Sequence, residues 1–264
     1  MVKEFILVVT LAAVSFASHD AESIIQRSVE ANAEDWKAAP DYDYFERDVQ
    51  QAGGTKTYKE LMIYGSPYEE LVAVNGKPLS PEQQAQEQQK LEAAIVERQK
   101  ESPKERVQRI ARYERERNRN HLLMEQLTKG FVFTLGGEQK LGPHEVYVLK
   151  ATPRPGYEPP NNEAKVLTGM EGTLWIDKKT FQWVKVEATV IRPVSIAGFI
   201  AQVQPGTRFE VEKMPVTNNI WLPEHFAMKS QARILFLFTQ KSQDDETYFG
   251  YHTATPIQAN TADK

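Results

Sequence analysis

The sequence predicts an α+β protein, one antiparallel sheet with helices at the N-terminus and in the middle of the chain. Three observations carry this expectation. Residues 169–252 form a meander of alternating segments and turns, residues 81–129 contain two helix starts of the same chemistry, and residues 21–36 show helical periodicity.

From the N-terminus, Met1-Val2-Lys3-Glu4 precedes an apolar run at 5–17. Ser15-Phe16-Ala17 supplies small residues three and one before a cut, the layout of a secretory signal peptide. The expectation is a signal at 1–17, then a single domain over 18–264. No later stretch approaches about 18 unbroken apolar residues, so a soluble mature chain is expected. Residues 21–36 then offer Ile24, Ile25, Val29 and Trp36 as the buried stripe of an amphipathic helix.

Asp41-Tyr42-Asp43-Tyr44-Phe45-Glu46 begins the sheet, and strands are expected at 57–64 and 69–74. Asn75-Gly76 fits a tight hairpin, because both residues tolerate positive φ. Ser80-Pro81-Glu82-Gln83 and Ser102-Pro103-Lys104-Glu105 each place Ser at a helix N-cap, Pro at the first helical position and a polar acceptor three residues on. Helices are therefore expected at about 81–101 and 103–129. Strands resume at 131–135 and 145–150, with Gly136-Gly137 and Gly53-Gly54 as turns. The proline-rich stretch 153–162 reads as a long loop inside one domain.

In the meander, Gly172-Thr173-Leu174-Trp175-Ile176-Asp177 is a strand, Lys178-Lys179-Thr180 a turn and 181–191 a second strand. There Val184, Val186, Ala188 and Val190 share one face. Pro205-Gly206-Thr207 opens a strand at 209–214, and Trp221-Leu222-Pro223 starts a long ribbon ending at 234–238.

Candidate chemistry is sparse. The chain has 264 residues, is 41% hydrophobic and carries a formal charge of -4, which disfavours nucleic acid as a partner. It has no cysteine, which excludes disulfides and thiolate-bound metal. His121, His144 and His225 share no metal-ligand spacing, so no metal or cofactor is expected. There is no Gly-x-Ser-x-Gly elbow and no phosphate loop. Asp244-Asp245-Glu246 reads as a polar turn of ordinary carboxylates. A hydrolase would need a site dispersed over distant strands. Arg106, Arg109, Arg112, Arg115, Arg117 and Arg119 alternate with Glu105, Glu114 and Glu116. They form a solvated helix face or a contact surface for anionic headgroups or an acidic partner.

The apolar sheet face is the strongest candidate. Leu174, Ile176, Val184, Val186, Phe209, Val211, Ile234, Phe236 and Phe238 could line one surface, either as a dry core or as the wall of a ligand cavity.

The order of Gly-Thr-Leu-Trp-Ile-Asp at 172–177, the Pro-Gly-Thr turn, the Trp-Leu-Pro strand start and Tyr248-Phe249-Gly250-Tyr251 resembles the LolA/LolB-like superfamily of outer-membrane lipoprotein-sorting proteins and their bacterial envelope relatives. Val74-Asn75-Gly76-Lys77-Pro78-Leu79-Ser80 adds to the likeness. It spans nearly the whole mature chain and is strongest from residue 169 onward. The resemblance implies a half-open antiparallel β-barrel covered by helices, with the segment at 81–129 as a helical insertion. It implies a periplasmic, non-enzymatic carrier whose apolar cavity takes an acyl chain or the lipid moiety of a lipoprotein, with peripheral membrane contact. Burying one CH₂ contributes about 0.8 kcal/mol, enough to hold such a chain without a polar site. The missing acylated cysteine points within that superfamily to a soluble carrier. Related folds also serve as envelope sensors that bind protein partners, and the arginine helix would be the surface for that role.

Overall fold

Among the described residues, thirteen strands make one antiparallel sheet. They are β1 (Tyr42–Val49), β2 (Thr55–Ile63), β3 (Ser66–Val74), β4 (Lys77–Pro78), β5 (Phe131–Leu141), β6 (His144–Pro153) and β7 (Met170–Asp177). β8 (Trp183–Val190), β9 (Val194–Ser195), β10 (Ala201–Val203), β11 (Arg208–Pro215), β12 (Trp221–Ile234) and β13 (Phe238–Thr253) complete the set. This computed structural model describes residues 5–50, 53–196, 201–234 and 238–254, with side chains described outside 5–19, 119–120, 123–124, 163 and 233–241.

The strand order is β4-β3-β2-β1-β13-β12-β11-β8-β7-β6-β5, with β9 and β10 attached beside β12. The first and last long strands are neighbours, Tyr42 pairing with Thr253 and Asp48 with Glu246. The sheet does not close, and its ends are β4 and β5. The chain between those two ends is the pair of helices α2 (Pro81–Lys100) and α3 (Pro103–Gly130). The helical insertion therefore links one free edge to the other.

Both helix starts form as the Ser-Pro signatures require. Ser80 Oγ accepts the Gln83 N–H while Gln83 Oε1 accepts the Ser80 N–H, and Ser102 and Glu105 repeat the arrangement. Two donors are thereby satisfied at each helix end. The Asn75-Gly76 hairpin has φ of 52° and 70°. Gly136-Gly137 is not a turn. It is a register shift inside β5 between Leu135 and Gly137, where φ of 136° needs glycine, and the hairpin turn comes later at Gly142. Asp244, Asp245 and Glu246 likewise lie within β13, paired with Met228, Ala227 and Phe226. The continuous partner register of β12 outweighs their weak strand propensity.

Helix α1 runs Phe5–Ala38, so the backbone joins the expected signal segment and the 21–36 helix without a break. No helix among the described residues is long and apolar enough to cross a membrane. Ala21, Ile24 and Ile25 of α1 pack on Phe131, Phe133, Leu149, Leu174, Ile176 and Trp183, forming the main core.

The arginines of α2 and α3 clamp the β2–β3 turn. Arg98 donates to the carbonyls of Ile63, Ser66 and Pro67. Arg109 reaches the Tyr64 carbonyl and Ser66 Oγ while gripping both oxygens of Glu101. Further along α3, Arg117 donates to the Trp36 carbonyl, and His121 stacks on the Trp36 ring with centroids 4.2 Å apart. Arg154 ends the helix by donating to the carbonyls of Thr128, Lys129 and Phe131. These guanidiniums hold α3 in place between β3, α1 and β5.

Candidate functional site

Residues directly opposite on neighbouring strands share a face, so the pairing register maps the helix-covered side of the sheet. One row runs Leu135, Leu149, Leu174, Val186, Val211, Phe226 from β5 to β12. At β13 its character changes: Glu246 follows Phe226, then Asp48 of β1 and Lys56 of β2. The same face is apolar from β5 to β12 and acidic from β13 to β3.

The apolar half holds several of the residues singled out from sequence. Leu174 and Ile176 are 4% and 0% exposed beneath α1, with Val186 and Phe209 packed at the margin of the same cluster. Val211 is half-buried in the Leu174 row. Val184 does not join them. A register shift between Trp175 and Ile176 sets Trp183 opposite Ile176, so Trp183 takes the inward position that strict alternation gives to Val184. Ile234 and Phe238 pair at the tip of the β12–β13 hairpin. Ile234 is eight residues along β12 from Phe226, roughly 26 Å at about 3.3 Å per residue, so it lies far from the Leu174 row. Phe236 falls outside the described residues.

Beside α1 the core opens into a cleft of about 490 Å³. Ile25 and Val29 of α1 form one wall and Val132 and Phe133 of β5 the other, with Glu22 and Arg154 among its polar residues. Val132 is 37% exposed, so apolar surface reaches solvent here.

The far end of α1 is fixed differently. Asp35, 2% exposed, accepts from Lys213 Nζ at 2.6 Å, from Gln182 Nε2 at 2.9 Å and from the Trp221 N–H at 2.9 Å. Lys213 Nζ also donates to Asn32 Oδ1 at 2.6 Å. Burial pulls the Lys213 ammonium below the usual lysine range, opposed by Asp35. Nearby Ser28 Oγ, Gln182 Oε1 and Trp183 Nε1 are buried without partners among the described residues. Helix α1 thus rests on apolar contacts at Ala21–Ile25 and is bolted by one ion pair near its C-terminus.

The acidic half was not anticipated from sequence. Tyr44 stands opposite Glu60, Glu60 opposite Glu69, and Glu46 between Tyr58 and Tyr248. The Tyr44 ring lies 5.9 Å from Tyr248 and 5.2 Å from Tyr251. Burial, then Glu69 and Glu46, pushes the Glu60 carboxyl up to about 8. Burial, then Glu246, Glu69 and Asp48, pushes Glu46 up to about 7. Burial also raises the Tyr44, Tyr248 and Tyr251 phenols.

This arrangement has a pH signature. A carboxyl whose folded pKa exceeds its unfolded value adds stability that is complete below about pH 4.5 and is lost as pH rises through the folded value. Glu60→Gln is expected to leave urea stability unchanged near pH 4. Near pH 8.5 it should raise stability by on the order of 2 kcal/mol, since each tenfold change in proton affinity between the folded and unfolded chain is worth about 1.4 kcal/mol. Equal effects at both pH values would refute buried, uncompensated acidity at this position.

The histidines take supporting roles. His144 Nδ1 lies 3.1 Å from Asp177 Oδ2, and His225 Nε2 lies 3.1 Å from Asp245 Oδ1. Burial opposes ionisation of Asp177, but donors from Thr180, Lys179 and His144 outweigh it and lower its pKa. Among the described residues no group of three or more His, Asp or Glu side chains is placed to hold a metal ion.

No family model matches the chain, and no curated protein matches it. Among solved structures, it is similar to a Vibrio parahaemolyticus domain described as an outer membrane lipoprotein-sorting protein. That match has 13% identity and a TM-score of 0.32, and covers 89% of this chain and 96% of the other. A DUF1329 family protein from Desulfovibrio piger matches at 8% identity and a TM-score of 0.32, over 88% and 92% of the two chains. The Pseudomonas aeruginosa MucA/MucB complex supplies a match at 12% identity and a TM-score of 0.24, over 89% and 99%.

Proposed function

We propose that this protein is a non-enzymatic carrier or binding protein of the bacterial periplasm that takes an acyl chain, free or as the lipid moiety of a lipoprotein. One observation carries the reading. Helix α1 packs on the apolar half of the sheet through Ala21, Ile24 and Ile25, and a cleft lined by Ile25, Val29, Val132 and Phe133 opens alongside it. A chain that enters there and displaces the Ala21–Ile25 end of α1 gains contact with Leu174, Ile176, Val186, Phe209 and Val211. Each buried CH₂ contributes about 0.8 kcal/mol, so an acyl chain could replace the helix on this surface.

An adaptor role through the arginine helix has less support, because Arg106, Arg109 and Arg117 are engaged within the fold.

Val132→Asp places a charge in the cleft at a position exposed enough to leave the core intact. It is expected to weaken binding of a dansyl-labelled fatty acid by about tenfold or more, equivalent to ~1.4 kcal/mol. In a chain without native cysteine, Val29→Cys and Val132→Cys joined by a bismaleimide should block uptake, while the same double variant without the cross-linker should retain it. Undiminished uptake in Val132→Asp or in the cross-linked protein would remove the cleft as the way in.

A further inference from the structure

The face of the sheet turned away from α1 carries a charged depression that acyl-chain binding does not use. Two neighbouring rows of residues cross β8, β11, β12 and β13 there. One row is Glu187, Glu210, Ala227 and Asp245, and the next is Thr189, Arg208, Lys229 and Gln243. Together they border a cavity of about 420 Å³. Ala227 leaves the room for it, since a methyl group stands there between longer charged side chains.

The two rows are balanced differently. Lys185 Nζ reaches Glu187, Glu210 and Glu212 at 3.0, 2.6 and 3.1 Å, so the acidic side has a counter-ion of its own. The basic row has none. Arg208 and Lys229 stand directly opposite each other on β11 and β12, both exposed. Among the described residues, neither side chain makes a hydrogen bond or an ion pair. Like charges facing each other across a strand pair are destabilising. Glu171, a carboxylate in the same row, lies beyond Thr189 and two strands from Arg208, roughly 10 Å at about 4.8 Å per strand.

An anion held between Arg208 and Lys229 relieves that opposition, and phosphate suits a guanidinium because paired N–H donors meet paired oxygens. The same anion then lies two residues from the acidic row, roughly 6.6 Å at about 3.3 Å per residue. There three carboxylates share the single Lys185 ammonium, and Asp245 adds a fourth. A plain anion is repelled by that row, whereas an anion carrying an ammonium on that side is attracted at both ends. We propose that this depression binds a phosphate–amine zwitterion of the phosphoethanolamine type, its phosphate between Arg208 and Lys229 and its ammonium toward Glu210 and Asp245. An ammonium has three N–H donors and no acceptor, which matches carboxylates supplied from two strands. The same chemistry occurs as free phosphoethanolamine and as the headgroup of phosphatidylethanolamine. The site lies on the opposite face of the sheet from α1, so it does not rest on acyl-chain binding.

Titration calorimetry of the full chain with phosphoethanolamine at neutral pH tests this directly. Saturable binding is expected, with ethyl phosphate and ethanolamine, which each lack one charge, at least about tenfold weaker. Lys229→Gln should weaken binding at least about tenfold. That substitution also removes one of two facing charges, so stability is expected to hold or rise and unfolding cannot imitate the loss. Ala227→Leu fills the depression with every charge intact and should weaken binding as much. Flotation with phosphatidylcholine vesicles, with and without phosphatidylethanolamine, separates the sources. Recruitment that requires phosphatidylethanolamine assigns the site to the lipid headgroup, and calorimetric binding without recruitment assigns it to the free compound. The proposal is overturned if phosphoethanolamine gives no saturable heat, if ethyl phosphate binds equally, or if either variant binds as well as the parent.

Discussion

Asp35→Ala is expected to lower the free energy of unfolding by about 3–5 kcal/mol, the range for breaking a buried ion pair from one side. The carboxylate accepts from the Lys213 ammonium, the Gln182 amide and the Trp221 backbone N–H, so its removal leaves three buried donors short of a partner. Lys213 is the worst affected, since it keeps a charge in a site that already disfavours it. Asp35→Leu combined with Lys213→Met removes both charges at once and should recover a substantial part of the loss. Urea titrations of the single and double variants measure both effects. A single-variant change below about 1 kcal/mol would mean that the Lys213 amine finds water, and that the bolt on α1 is weak.

Ile176→Ala should be nearly as damaging, at about 2–5 kcal/mol, because the side chain is wholly enclosed and the site has little freedom to collapse. Ile176 lies between Tyr147 of β6 and Trp183 of β8, under the helix α1. The same substitution at Val184 should cost much less, since the register shift withdraws that residue from the core. A chemical denaturation series comparing the two positions reads this contrast directly. Equal losses would contradict the inward placement of Trp183.

The regular parts of this fold were legible in the sequence for local reasons. Ser-Pro starts and polar third residues located both insertion helices to within a residue or two, because capping is satisfied by neighbours in the chain. Asn75-Gly76 located its hairpin by the same logic. What escaped was set by pairing between strands. A single register shift exchanged Val184 for Trp183, and Gly136-Gly137 became a shift within a strand instead of its end. Asp244 to Glu246 looked like a turn because their composition is polar, yet β12 fixes them as strand. The acidic half was missed because attention to apolar alternation discards glutamates as solvent-facing. A signal was present: Tyr44/Glu46, Tyr58/Glu60 and Glu246/Tyr248 repeat one pair of residue types at a spacing of two on three strands. Only the knowledge that these strands are adjacent turns the repetition into one cluster.

The adjacency of β1 and β13 governs how the molecule must be built. Strand β1 is made early, but one of its two neighbours emerges from the ribosome some two hundred residues later. Such long-range pairing slows folding, since the entropy of closing the loop is lost before the contacts repay it. Until the last strand arrives, β1 and β12 each lack a flank. Assembly is completed by the C-terminal strand, and its loss would strand the rest of the sheet as two unjoined pieces.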